Sequence, residues 1–337
     1  MLTQVVSGRV FHFSHAIGRN AAGGNGFTYP VAVALGREDV AYVVSRSNEN
    51  QNNPHVTKIA LSEEVLGEFG KRGEGDGELV WPTAVAVDRE GKVYVADEWL
   101  QRISIFDEDG KFLRGWGTAG AGDGELRGPS GLAFDGADDL YVVDSLNHRV
   151  QKFTRDGKFL TKWGGQGSAD GEFSMPWGIT VDREGQVYVA DWKNHRVQKF
   201  ASDGSFLATF GRPGSGPGEL NHPTGVAVDP DGDVYVVDWG NERLQIYAAD
   251  GDFMTSLIGD AQQLSKWAQM TVDANPDVVK ARRRVKSLEP EWRFRMPTAV
   301  AFDPVKKRII VTDTQRGRLQ IYLKETEADY MDPQMNL

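Results

Sequence analysis

Short apolar runs, each closed by Gly, Asp or Asn, alternate with polar turns along nearly the whole chain, and they recur in phase. From Pro176 to Gly211 the runs are Trp177 to Val181, Val187 to Ala190, Arg196 to Phe200 and Phe206 to Phe210, joined by Arg183-Glu184-Gly185 and Asp203-Gly204 as tight connections. Runs of this length between such turns predict four antiparallel strands. The first two are almost continuously apolar, as befits strands buried on both faces. The same unit opens at Pro82, Pro129, Pro176 and Pro223, at steps of 47 residues. A fixed period of that length, with four strands per unit, predicts a propeller with one blade per repeat.

Two looser copies extend the array to six. Pro30 precedes Pro82 by 52 residues, and the extra ones fall in the Asn-rich stretch Ser47 to Pro54, where a longer loop costs little. Pro297 follows Pro223 by 74 residues. The last repeat stops after its third strand, Arg318 to Tyr322, and Val10 to Gly18 has the pattern of the missing fourth. The expectation is an all-β fold: a single six-bladed β-propeller over 1–337, closed by residues 1–18 as the outer strand of blade 6 so that no terminal edge is left unpaired. A helical insertion is expected over 260–295, between blades 5 and 6. There Leu264, Trp267, Ala268 and Val272 fall at helical spacing, and Asn275-Pro276 reads as a cap and first-turn proline.

The repeats resemble NHL repeats, a propeller family named for an Asn-His-Leu signature. Asn147-His148-Arg149 and Asn194-His195-Arg196 carry it with Arg in the third place, and Gly75 to Leu79, Gly122 to Leu126 and Gly216 to Leu220 match the family's approach to the proline. The resemblance implies the propeller fold. It leaves function open, since the family holds enzymes, RNA binders and protein-binding modules.

Composition narrows this. The chain has no cysteine, which removes thiolate nucleophiles, disulfides and Cys-based metal sites. A net charge of −10 argues against nucleic acid as a partner, because phosphate binding needs a positive field. No apolar run is long enough for a membrane helix, and no secretory signal is visible. These features fit a soluble protein, cytoplasmic, or secreted or periplasmic if a leader is removed. They leave the oligomeric state open.

Blade geometry places two sets of loops on one face: those after the strand-two acids and those leading into the prolines. Asp97 and Arg102, Asp144 and Arg149, Asp191 and Arg196, Asp238 and Arg243, and Asp313 and Arg318 stand five apart, and such repetition reads as a scaffold clamp. What varies is more telling. Directly after the acid position stand Arg46, Glu98, Ser145, Trp192, Trp239 and Thr314, and directly after the prolines Trp177 breaks a series of small residues. Unlike side chains at equivalent loop positions suggest a site grafted on a symmetric scaffold. The expected ligand site comprises Trp99, Ser145, Trp177, Trp192, Trp239 and Thr314, with Trp267 on a helical lid above, and it suits a small organic or peptide-like ligand.

For chemistry, Glu98 and Arg46 are the candidate acid–base and electrostatic pair. The resemblance extends to zinc-dependent amidating lyases and calcium-dependent lactonase-like hydrolases. His148 and His195 match one zinc-ligand position, but the positions after the prolines hold no histidine, so zinc is disfavoured and both histidines read as scaffold. Calcium stays possible, with one variable carboxylate, Glu98, on the opening. No metal ligand is assigned. The function expected is ligand binding, with a hydrolase or lyase activity as a possibility and a non-catalytic protein-interaction scaffold as the alternative.

Overall fold

The computed structural model describes residues 2–21, 24–46 and 53–331. Six antiparallel sheets stand around one axis, and the first strands, beginning at Pro30, Pro82, Pro129, Pro176, Pro223 and Pro297, contact one another in a closed circuit. In blade 4 the strands are Pro176–Val181, Val187–Asp191, Arg196–Phe200 and Phe206–Phe210, within a residue of the expected bounds. The loop expected to absorb the extra residues of blade 1 lies, at 47–52, outside the described residues.

Blade 6 is completed from the other end of the chain. Arg9–Ile17 pairs antiparallel with Arg318–Thr326, with Ile17 opposite Leu319 and Arg9 opposite Thr326. A fifth strand, Thr3–Val6, follows outside it. The hydrogen bonds of a central ladder therefore join the two ends, which removes the edge that an incomplete blade would expose.

Adjacent blades are sealed by aromatic rings at their outer seams. In blades 1 to 4 the last residue of the fourth strand packs on the third strand of the next blade: Phe69 on Phe106 at 4.9 Å, Trp116 on Phe153 at 4.8 Å, Trp163 on Phe200 at 5.9 Å and Phe210 on Tyr247 at 6.2 Å. Trp116 and Trp163 are thus seam residues, as their position in the repeat implies. The turn beneath must be glycine. At Gly157, whose φ is +86°, an added Cβ would sit 2.6 Å from the Trp116 ring.

The seam between blades 6 and 1 lacks these rings, since Ile17 and Ile59 take the equivalent places. The insertion supplies one. It forms α1 (Lys266–Asp273), capped by Ser265, then α2 (Pro276–Arg284), capped by Asn275 with Pro276 in its first turn, and α3 (Glu289–Trp292). Trp267 of α1 is 3% exposed and packs with Ile17, Phe27, Ile59 and Leu61. Its Nε1 donates to the Glu63 carbonyl at 3.0 Å, and the Ser265 hydroxyl donates to the Gly18 carbonyl. Glu63 stands where Gly110 and Gly157 stand in other blades, on the outer edge of the ring. The helices therefore dock on the rim, not over the opening, and Trp267 is a seam plug instead of a ligand contact. The physical reason is that an indole has more apolar area to bury in an underfilled seam than over a wet opening.

Candidate functional site

The site is built on the clamps that hold the proline face. In blade 4, Asp191 Oδ2 accepts from Arg196 Nε at 3.0 Å, from Asn194 at 2.8 Å and from Gln198 at 3.2 Å, while Oδ1 accepts from the Ser174 backbone N–H. Asp144–Arg149 and Asp238–Arg243 at 2.7 Å and Asp313–Arg318 at 2.8 Å repeat the pair. Each of these carboxylates is fully buried, so it needs its partners. Blade 2 departs from the expectation of five clamps. Asp97 accepts instead from the backbone N–H groups of Val80, Trp81, Trp99 and Leu100, and Arg102 donates to the carbonyls of Glu74, Gly75 and Glu78. Leu100 and Ser104 hold the places of the helper Asn and Gln, so neither neutral donor holds this carboxylate toward the arginine.

His148 Nδ1 accepts from the Met175 N–H at 3.0 Å, and His195 Nδ1 from the His222 N–H at 3.1 Å. Gln101 Oε1 does the same for Gly128 in blade 2. The signature histidines therefore tie blade 3 to blade 4 and blade 4 to blade 5. Among the described residues, no three His, Asp, Glu or Cys side chains are grouped to hold a metal ion.

On the axis, side chains one place after the prolines bridge neighbouring blades. The hydroxyl of Thr83 donates to Pro129 O, that of Ser130 to Trp177 O, and that of Thr298 to Val31 O. Thr314 joins this belt by donating to Pro30 O at 2.7 Å. It is 5% exposed and Ser145 is 2% exposed, so both lie beneath the surface, contrary to their expected place in the ligand site. Thr314 is taken up by the belt, and Ser145 is buried with no hydrogen-bond partner for its hydroxyl. The axial cavity, lined by Thr83, Ser130, Trp177, Thr224 and Thr298 among others, measures about 80 Å³, room for a few waters.

Above the belt, Arg46 takes the part of the missing hydroxyl of Val31. Its Nε donates to Pro82 O at 3.0 Å, and its guanidinium lies over Trp81 at 4.9 Å and over Trp177, from the opposite side of the ring, at 5.8 Å. Glu98 approaches Arg46 Nη2 to 3.6 Å, with side-chain exposures of 16% for Arg46 and 31% for Glu98. Burial pulls the Arg46 guanidinium down to about 10, against the pull of Glu98 and Asp97. Burial raises the Glu98 carboxyl, with Arg46 opposing and Asp97 adding to the rise. The structure thus brings together Arg46, Glu98 and Trp177, and adds Trp81, which is 41% exposed. Trp99, 67% exposed, projects from the altered corner of blade 2.

Across the opening, Trp192 and Trp239 flank a residue that the sequence reading overlooked. His222 lies 4.5 Å from Trp192, 4.3 Å from His195 and 6.3 Å from Trp239, ring to ring. Its Nδ1 pairs with Asn221 Oδ1 at 2.8 Å, which leaves Nε2 as the accepting nitrogen. Burial, His195 and Lys193 hold its pKa below the ordinary value. The signal was available one place before the prolines, where Tyr29, Trp81, Gly128, Met175, His222 and Met296 vary as widely as the residues after the acids. Arg46 on Trp81 and Trp192 on His222 are the same contact, in blades 1 and 2 and in the opposite blades 4 and 5.

Residues 126–153, 173–200 and 220–247 each match the NHL repeat. The chain is an NHL-repeat propeller. Over 45 residues it is 53% identical to Protein lin-41 of Caenorhabditis elegans, covering 13% of this chain and 4% of that protein. Over 81 residues it is 32% identical to E3 ubiquitin-protein ligase TRIM71 of Rattus norvegicus, covering 22% of this chain and 10% of that protein. The likeness to these relatives is thus confined to a small part of their length. Among solved structures, a protein of unknown function from Bacteroides thetaiotaomicron has a TM-score of 0.63 at 17% identity, covering 94% of this chain and 76% of that one. A catalytically inactive virginiamycin B lyase from Staphylococcus aureus with quinupristin has a TM-score of 0.57 at 13% identity, covering 93% and 99%. At these identities the likeness is one of fold. No helix among the described residues is long and apolar enough to cross a membrane.

Proposed function

We propose that this propeller is a recognition module whose proline face binds a peptide or an exposed segment of another protein, through Trp81, Trp177, Trp192 and Trp239 around Arg46. The observation that carries the reading is the openness of an aromatic face: the axial cavity, which Trp177 lines, measures only about 80 Å³, Trp81 stands 41% exposed beside it, and the insertion stands at the rim. Enclosing a free small molecule takes a concavity of roughly 300 Å³ or more. Part-exposed tryptophans, two of them beside an arginine, are by contrast the side chains that dominate protein interfaces. This favours the interaction module over the lidded small-molecule site.

A hydrolase or lyase reading draws on the fold shared with the lyases and on Glu98, whose raised pKa would suit proton transfer. It lacks a second catalytic group in contact with that carboxyl other than Arg46. The test is selection of binders from a random peptide library on the intact protein, followed by affinity measurement on variants. Peptides selected by this face should lose about tenfold or more against Trp177→Ala and Trp192→Ala, as truncated aromatic anchors do. Equal affinity for the parent and both variants would remove the reading.

A further inference from the structure

Arg46 is held more tightly than its bonds require. The guanidinium carbon lies over the rings of Trp81 and Trp177, Nε donates to Pro82 O, and Nη2 is buried without a hydrogen-bond partner, since the nearest Glu98 oxygen is 3.6 Å away. Buried donors are almost always satisfied, and a guanidinium edge is shaped for a carboxylate. Glu98 forms a long ion pair at 3.6 Å, beyond hydrogen-bond distance, and is the more exposed of the two. Glu242 is paired with Arg295 at 3.0 Å, and the acids of blades 3 to 6 are held in their clamps. Lys193, next to His222, adds a positive charge on the far side.

We infer that the proline face reads a carboxylate, bound by Arg46 Nη2 in exchange for Glu98, with an adjacent aromatic or apolar group of the ligand resting on Trp177. The inference rests on the recognition reading and deepens it by naming the chemistry read. A free peptide C-terminus and an Asp or Glu side chain present the same group.

The experiment compares, by calorimetry on the intact protein, N-acetyl-Gly-Phe with a free carboxylate, its C-terminal amide, and N-acetyl-Asp-Phe amide. The free acid should bind at least about tenfold more tightly than its amide, the scale of one charge-assisted hydrogen bond. Glu98→Gln should tighten the acid severalfold and leave the amide unmoved, while Arg46→Gln should erase the difference. If the Asp peptide matches the free acid, a side-chain carboxylate is read; if it matches the amide, a chain terminus is. Acid and amide binding alike, both lost in Trp177→Ala, would overturn the carboxylate and leave the recognition face standing. Binding unaffected by Trp177→Ala would remove the face itself, and no binding by any of the three would overturn the carboxylate inference. Inorganic phosphate displacing the acid where acetate does not would overturn it in favour of a nucleic-acid backbone.

Discussion

Blades 2 and 4 carry the same Asp and Arg five residues apart and use them differently. In blade 4 the carboxylate of Asp191 gathers Arg196, Asn194 and Gln198 into a buried clamp, and the corner it holds is a 3-10 turn, Trp192–Asn194. In blade 2 the same carboxylate caps its own corner, and the loop it shapes presents Glu98 and the exposed Trp99. The lesson is that the ion pair goes with a neutral helper: blade 6 keeps it on Gln320, with Arg316 in the Asn place, and blade 2, which has neither helper, does not form it. Once Asn becomes Leu100 and Gln becomes Ser104, the acid is freed to build a different loop, and that loop forms part of the variable face.

The comparison breaks most plainly at the clamp itself. Asp191→Ala strips Arg196 of a buried partner and should cost about 3–5 kcal/mol, read as a lowered urea midpoint. The sharper contrast is between the arginines. Arg196→Ala leaves a buried carboxylate undercompensated and should cost about 2–3 kcal/mol, whereas Arg102→Ala loses carbonyl bonds alone and should cost about 1 kcal/mol. Equal losses would mean that blade 2 is clamped like the others. Restoring the helpers with Leu100→Asn and Ser104→Gln together should draw Asp97 onto Arg102 and stabilise the ring by about 1 kcal/mol. The same change should weaken peptide binding as Trp99 and Glu98 move, and unchanged binding would detach that corner from the site. The smallest effect is expected at His148→Gln, within about 0.5 kcal/mol by thermal melting, because Gln101 already performs that inter-blade bond in blade 2. A large loss there would show that the imidazole does more than accept one N–H.

The alternation of apolar runs and the step from Pro82 to Pro223 determined the propeller, its blade count and its closure by Arg9–Ile17, because each is a local pattern repeated until it has only one way to bury its strands. Periodicity also located the variable face, since whatever broke the repeat stood out: Arg46, Glu98, Trp177, Trp192 and Trp239. What it could not supply was direction. Trp267 looks like a lid residue in one dimension and is a seam plug in three, because the vacancy it fills is made by Ile17 and Ile59, hundreds of residues away. Ser145 and Thr314 share the register of Trp192, but their short side chains are buried beneath the surface, that of Thr314 in the hydroxyl belt. The meeting of Arg46 with Trp177 across the axis, and of His222 with Trp192 between blades, was decided by the closing of the ring alone, which sets side chains from distant repeats face to face at distances no sequence spacing encodes.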